Sequence, residues 1–377
     1  MAKYKLGDIV TLLNGRAYLM PELQDSGKYR ILRVGNLSGG NDSWYYSDME
    51  LDENKYCENG DLLYAWACNF GPHIWREEKV IYHYHIWKLV ENKEKVDRTY
   101  LYYYLLHQTP FYLGGVNGAT MVHITKKNME KKTVYIPSSL NVQHRIASIL
   151  STYDTLIENN AKRIRLLEKM AENLYKEWFV RFRFPGHENV EMENGLPKGW
   201  KVKKYEDELN VKYGKGLPTD KLTKDGFPVF GSNGQIGYYT SYMYDTPQIL
   251  ISCRGASSGV VNISLPKSFI TNNSLICEMT NKTESVFEYL KYYFLNTNLV
   301  QYQTGSAQPQ ITINNIVKLK LLIPSTDIQI KFADKVRTLD KEVGNLQLQN
   351  SLLARQRDLL LPRLMSGKLE VKEEVLE

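Results

Sequence analysis

Two sets of loops in this chain carry residue types that read the edges and backbone of a nucleic acid. In the first half they are Asn14-Gly15-Arg16, Arg33-Val34-Gly35-Asn36, Asn69 and Asn117-Gly118-Ala119-Thr120. In the second half they are Lys215, Ser232-Asn233-Gly234-Gln235, Arg254-Gly255-Ala256-Ser257-Ser258 and Thr304-Gly305-Ser306-Ala307-Gln308. Arginine and lysine bind phosphates or guanine, asparagine and glutamine match adenine, and serine and threonine serve either backbone or base. The candidate contacts are therefore Arg16, Arg33, Asn36, Asn69, Asn117 and Thr120, followed by Lys215, Ser232, Asn233, Arg254, Ser257, Ser258, Ser306 and Gln308. Arg254 stands out, because it is the only arginine between Arg183 and Arg337 and sits in a loop of small residues after an apolar run. Each loop taken singly is also ordinary turn chemistry. Only the recurrence of such loops in both halves lifts the group.

Catalytic patterns are missing. There is no GxxxxGK[ST] phosphate loop, no NPPY or DPPY tetrapeptide, no HExxH and no GxSxG. His73, His83 and His85 cluster in sequence, but His83 and His85 alternate with Tyr82, Tyr84 and Ile86 as a strand would. Asp61 with Glu91-Asn92-Lys93 has the superficial spacing of a metal-dependent nuclease. Glu91 to Lys95 is equally a polar run after a strand. A DNA-acting enzyme with an unrecognised site thus stands as the alternative to a binding protein.

Composition narrows the class further. The chain has 377 residues, 43% of them hydrophobic, enough for two globular domains and a connecting element. The net charge of +6 is mild and raises the expectation of a polyanionic partner only slightly. Cys57, Cys68, Cys253 and Cys277 show no metal-ligand spacing, so neither a zinc site nor a disulfide framework is expected. No run is long and apolar enough for a membrane span, and no signal peptide is visible, so the expected location is cytoplasmic and no membrane partner is implied.

Two long amphipathic stretches must position these loops. In the first, Ile146, Leu150, Tyr153, Ile157, Asn160, Ile164 and Leu167 step by fours and threes, and the pattern continues through Ala171 and Leu174 to Trp178. In the second, Phe332, Val336, Leu339, Val343, Leu346, Asn350 and Leu353 do the same. Such heptads specify supercoiled helices, and two seams in one chain are best buried against each other. A stretch of about 36 residues spans roughly 54 Å as a helix. A coiled coil that merely dimerises chains, making the protein a tether, is the plainer reading. Asn160 and Asn350 fall close together if the pairing is antiparallel, and a buried asparagine pair fixes register. Pro362 should end the second helix at Leu361.

The second half repeats the first. Gly118–Thr125 aligns with Gly305–Thr312, and Ile136-Pro137-Ser138 with Ile323-Pro324-Ser325, both 187 residues on. Gly15-Arg16 resembles Gly214-Lys215. Strands are expected at Tyr29–Val34, Asp61–Trp66, Val80–Leu89 and Val134–Ile136. Their counterparts are Ile249–Cys253, Val260–Ile263, Ser274–Met279 and Leu319–Ile323. One helix per half is expected, at Arg98–Gln108 and Val286–Thr297. The fold class is thus α+β: two globular mixed α/β domains, residues 1–140 and 201–325, separated by a long antiparallel two-helix coiled coil. The first long helix occupies 141–184, a linker 185–200, and the second helix and tail 326–377.

Several of these residues resemble a known family. Ile149-Leu150, Ile157-Glu158-Asn159-Asn160, Leu166-Leu167 and Tyr175-Lys176-Glu177-Trp178-Phe179 look like the central conserved region of Type I restriction–modification specificity subunits. Leu359-Leu360-Leu361-Pro362-Arg363-Leu364-Met365-Ser366-Gly367-Lys368-Leu369 resembles that family's C-terminal conserved region, and Leu196-Pro197-Lys198-Gly199-Trp200 its lead-in to a recognition domain. The first half lacks that lead-in. The resemblance implies two target-recognition domains, each reading one half of an asymmetric bipartite site in double-stranded DNA, with the helices as spacer. It implies no active site in this chain. It also implies assembly with two DNA adenine methyltransferase subunits, which carry S-adenosylmethionine, and with restriction subunits that are helicase–nucleases. The outer faces of the helices are the expected docking surfaces for the methyltransferase subunits.

Overall fold

The computed structural model describes residues 1–37, 43–68, 70–113, 124–305 and 308–371. The chain folds as two compact units. One comprises Met1–Asn160 with Leu348–Glu377, the other Ala161–Gln347. Each unit therefore holds a globular part and one portion of each long helix.

In the first unit, strand Ala2–Lys5 pairs antiparallel with Thr133–Ile136. A four-stranded antiparallel sheet runs in the order Val10–Asn14, Ile86–Glu91, Leu62–Ala65, Gly71–Ile74. Its edge strand Val10–Asn14 alternates in burial, so Val10 and Leu12 face the core while Thr11 faces water, as a half-covered sheet requires. A second sheet orders Tyr45–Ser47, Tyr29–Leu32, Val80–Tyr82 and Tyr56–Cys57, with Tyr29–Leu32 and Val80–Tyr82 parallel. Helix Arg98–Leu113 packs Tyr100, Leu101, Tyr103 and Leu105 onto Leu12, Tyr64 and Trp87.

The second unit repeats this plan. Lys201–Lys204 pairs with Lys320–Ile323. Its four-stranded sheet runs Leu209–Tyr213, Ser274–Met279, Ile249–Ser252, Val261–Ile263, the same order as in the first unit. A smaller sheet joins Gly234–Tyr239, Phe227–Gly231 and Phe269–Ile270, the last two parallel. Helix Phe287–Leu295 is the counterpart of Arg98–Leu113. Equivalent buried glutamines pin each globular part to its long helix. Gln143 accepts from the Asp97 amide (2.8 Å) and donates to Lys95 O (3.0 Å) and Pro137 O (2.7 Å). Gln329 accepts from the Val286 amide (2.8 Å) and donates to Pro324 O (2.8 Å).

The long helices run Leu140–Tyr175, closed by a π-helical turn at Lys176–Val180, and Thr326–Met365. Their pairing is antiparallel within each unit: Asp154 meets Arg357 and Asn160 meets Asn350 in the first, and Arg163 meets Glu342 (2.9 Å) in the second. Every seam position (Ile146, Leu150, Tyr153, Ile157, Asn160, Ile164, Leu167, Val336, Leu339, Val343, Leu346, Asn350 and Leu353) is buried or half-buried. Asn160 is 6% exposed, and its amide donates to Gln349 Oε1 (2.9 Å) and Asn350 Oδ1 (3.0 Å). The aromatic residues at the end of the first helix form core, with Trp178 and Phe179 packed on Phe332 at 6.0 and 5.0 Å between ring centroids.

Two expectations about elements are corrected. Pro362 does not end the second helix, which continues to Met365. The helix loses one backbone bond there, but Leu361, Leu364 and Met365 are buried in the first unit's core, and that packing outweighs the loss. The expected strand Val80–Leu89 is two strands of two different sheets, Val80–Tyr82 and Ile86–Glu91, joined by a turn at His83–His85.

Candidate nucleic-acid interface

In each unit a glycine–cation pair lies against the turn that joins the two sheets. Gly15 is pressed so closely onto this turn that a Cβ there would lie 2.4 Å from both Tyr82 O and His83 O. Gly214 meets Thr271 O and Ile270 O at 2.2 and 2.5 Å in the same sense. Only glycine admits such an approach. The hydrogen bonds that follow match one for one. Gly15 N donates to Ile86 O (3.3 Å), Arg16 N to Tyr82 O (3.0 Å) and Tyr84 N to Arg16 O (3.0 Å). Gly214 N donates to Ser274 O (3.1 Å), Lys215 N to Ile270 O (2.9 Å) and Asn272 N to Lys215 O (3.1 Å). Trp66 N bonds His85 O (3.1 Å) as Cys253 N bonds Asn273 O (2.9 Å), and His83 N bonds Leu32 O as Thr271 N bonds Phe230 O, both at 2.9 Å.

This clamp gathers candidates that are scattered in the sequence. In the second unit, Lys215 meets the turn directly, and Arg254 follows Cys253 out of it. Ser274 Oγ donates to Gly231 O (3.1 Å) and Ser252 Oγ to Ser232 O, which bring in the turn that carries Asn233. Backbone bridging between Arg254 and Gln310 sets the Arg254 loop beside the Thr304–Gln310 loop, which carries Gln308. Lys215, Asn233, Arg254 and Gln308 are exposed, and Ser232 and Ser257 half-buried. Neither Lys215 nor Arg254 has a carboxylate partner among the described residues. Ser258 is a correction. It is 0% exposed, and its carbonyl accepts from Gln303 Nε2 (2.5 Å), so it closes the loop rather than facing a ligand.

The first unit gathers Arg16 and Arg33 around its own turn. Arg16 is not the free cation that the sequence suggests. Its two terminal nitrogens bind Glu22 at 3.0 and 2.6 Å, and this pairing, with the Leu19 amide, holds the Glu22 carboxyl below its ordinary range. Arg33 lies over the Tyr45 ring at 4.3 Å, with its Nε buried and without a hydrogen-bond partner among the described residues. Asn36 braces its own loop, accepting from Arg33 N (3.1 Å) and donating to Ser43 O (3.1 Å). A cavity of about 330 Å³ opens among Tyr18, Leu23, Arg33, His83 and His85. Burial, then His85 and Arg33, push the His83 imidazole down to about 4, so it is neutral at pH 7. Asn69, Asn117, Thr120 and Ser306 lie outside the described residues.

The turns themselves are what the residue reading missed. His83 and His85 pass for strand alternation. The signal was present in the match of Gly15-Arg16 to Gly214-Lys215, since both glycines mark a close approach to a partner not visible in sequence. The nuclease spacing is otherwise occupied: Asp61 pairs with Lys88 (2.6 Å), and the buried Glu91 carboxylate with Arg98 (2.9 Å). Among the described residues no group of three His, Cys, Asp or Glu is placed to hold a metal ion. No described helix is long and apolar enough to cross a membrane.

Residues 1–169 and 197–354 match the family model of the Type I restriction modification DNA specificity domain. The chain is 29% identical over 307 residues to the Type I restriction enzyme MjaIX specificity subunit of Methanocaldococcus jannaschii, covering 74% of this chain and 71% of that one. It is 22% identical over 399 residues to the MjaVIII specificity subunit of the same organism, covering 98% and 92%. The crystal structure of a Type I restriction–modification system S subunit from M. genitalium shares the fold, with a TM-score of 0.60, 18% identity, and coverage of 96% of this chain and 95% of that one.

Proposed function

The chain belongs to the family of Type I restriction–modification DNA specificity subunits, and from that premise we propose that each of its two units reads one part of an asymmetric, bipartite site in double-stranded DNA. The observation that carries this reading is the duplicated clamp. One backbone arrangement occurs twice, and the side chains around it differ. Lys215, Arg254 and Asn233 surround one copy, and Arg33 and a paired Arg16 the other. Equivalent frames with unlike side chains suit two unlike half-sites.

In this reading the chain supplies recognition and no chemistry. Phosphate contacts provide most of the affinity and base-edge contacts the selectivity. Methyl transfer to adenine belongs to two partner methyltransferase subunits, which bring S-adenosylmethionine, and cleavage to helicase–nuclease restriction subunits. The long helices serve as spacer and docking face. Leu156, Leu166, Met170, Leu348, Leu352 and Leu359 are available for that role, because they stand exposed on those helices away from the seam.

The test is to co-express the chain with the methyltransferase subunit encoded beside it and map N6-methyladenine in the host DNA. An asymmetric two-part motif with a fixed gap is expected. Arg254→Ala should relax one half-site only, at a cost of about 1–3 kcal/mol. A palindromic motif, or no methylation from proteins that fail to co-purify, would overturn the reading.

A further inference from the structure

The turn at the centre of each clamp has the same backbone in both units and different chemistry. Most of its amides and carbonyls are taken up by the matched bonds given above, closed by Ile86 N to His83 O (3.0 Å) in one unit and Ser274 N to Thr271 O (3.1 Å) in the other; Tyr84 O instead accepts from Trp66 Nε1 (2.8 Å). The fold is thus held without help from most of the turn's side chains. In the second unit Asn273 is exposed and Asn272 half-buried, and neither side-chain amide has a hydrogen-bond partner among the described residues. In the first unit the same positions are Tyr84, 39% exposed, and His85. The Tyr84 ring lies 4.5 Å from His83 and 4.0 Å from His85, and His85 meets Trp66 edge-on at 5.1 Å. Hollows flank this aromatic group on both sides, one of about 330 Å³ beside His83 and His85, the other of about 310 Å³ beside Trp66 and Tyr84.

We propose that His83-Tyr84-His85 and Thr271-Asn272-Asn273 are equivalent base-reading turns, the first reading its half-site by ring and imidazole contacts, the second by side-chain amides. This rests on the reading that each unit binds DNA. The chemistry differs as two unlike half-sites require. A side-chain amide matches the N6 donor and N7 acceptor of adenine. A neutral imidazole offers one donor and one acceptor, and an exposed phenol ring offers a face to a thymine methyl. The second turn also adjoins Lys215, which has no carboxylate partner among the described residues, so in that unit a base contact and a backbone contact arise side by side; the equivalent cation of the first turn, Arg16, is held by Glu22. Thr271 itself is 3% exposed, which leaves Asn272 and Asn273 as the reading positions of the second turn.

The test uses the chain in complex with its methyltransferase subunit, with the methylation motif as readout and co-purification as the check on folding. Asn273→Ala should make one position of one half-site degenerate and slow methylation of the original site about ten-fold or more. Asn273→Asp should move the preference at that position from adenine to cytosine, because a carboxylate accepts from the cytosine amino group. His85→Ala should make a position degenerate in the other half-site. Assembled variants with an unchanged motif would overturn the assignment of the turns while leaving DNA reading intact. So would a uniform slowing on all sequences, or changes by Asn273 and His85 variants in the same half-site. If Asn273→Ala does not assemble, the Asn273→Asp motif decides. A wild-type complex without any two-part motif would overturn both readings together.

Discussion

Gly15→Ala and Gly214→Ala test the clamp most directly. A methyl at position 15 would stand 2.4 Å from two carbonyl oxygens, and at position 214 it would stand 2.2 and 2.5 Å from two others. These atoms belong to backbone, so no side chain can swing aside. Ordinary non-bonded contact needs about 3.5 Å, so the segments must part by about 1 Å. The clamp bonds now measure 3.0 to 3.3 Å around Gly15 and 2.9 to 3.1 Å around Gly214, and that displacement breaks them. Three bonds at about 1 kcal/mol each give a loss of about 3 kcal/mol, at the upper end of what overpacking costs. Differential scanning calorimetry of the full chain should show each variant melting about 6–12 °C lower, taking roughly 2–4 °C per kcal/mol for units of this size. The two compact units need not melt together, so the shift should fall on the transition of the altered unit alone. In the methylation motif, Gly15→Ala should blur one half-site and Gly214→Ala the other. Wild-type melting of either variant, or the same half-site blurred by both, would refute the reasoning.

Three further outcomes follow from buried polar groups. Gln143→Leu strands three backbone groups that Gln143 now satisfies, and Gln329→Leu strands two; at about 1–3 kcal/mol per stranded group, urea titration should show the larger loss for Gln143, and the reverse order would contradict this account. Asn160→Leu gives up two hydrogen bonds whose acceptors, on exposed Gln349 and half-buried Asn350, reach water. The leucine gains about 1.5–3 kcal/mol of burial, so the melting temperature should rise slightly; a fall would show that the amide pair stabilises the helices as well as fixing their register. His83 is held neutral down to about 4, whereas in the unfolded chain it takes a proton near 6.5. Between these values the unfolded state binds the extra proton, so stability is full above pH 6.5 and falls as the pH drops toward 4. Urea midpoints for His83→Asn should decline less over that window than those of the wild type, and parallel curves would remove His83 from the account.

The helices were legible because a heptad is a local period: three- and four-residue steps place Ile146, Leu150, Val336 and Leu346 on one face whatever else the chain does, and all four are buried. The strand expected at Ser274–Met279 is found with those bounds, and the one expected at Val134–Ile136 begins one residue earlier, at Thr133. The break at His83–His85 was not legible. The alternation of His83 and His85 with Tyr82, Tyr84 and Ile86 runs straight through it, and only the pairing of Val80–Tyr82 with one sheet and Ile86–Glu91 with another exposes the turn. Pro362 reads as a helix end because proline propensity is local, whereas the core that Leu361 and Leu364 enter is not visible in sequence. Arg16 reads as a free cation in sequence because its partner is set by the fold: Glu22 lies six residues on, but only the folded chain brings its carboxylate round to both terminal guanidinium nitrogens. Ser258 misled because a glycine- and serine-rich loop reads as open, and burial is not a property of composition.

The same distinction ranks the candidate contacts. A side chain that holds the fold cannot be exchanged without a stability cost, so it is a poor place to vary specificity. Asn36 ties Arg33 N to Ser43 O, Arg16 is neutralised by Glu22, and the Ser258 side chain is buried within its loop. Lys215, Asn233, Arg254, Asn273 and Gln308 are exposed, and the segments that carry Lys215, Arg254 and Asn273 are placed by backbone bonds and by neighbouring side chains such as Ser274, not by Lys215, Arg254 or Asn273 themselves. Surface substitutions away from such structural duties usually stay within about 0.5 kcal/mol. A clamp made mostly of backbone therefore separates folding from reading. It allows one unit to change its bases while the other unit, the paired helices and the buried glutamines at their roots are left as they are.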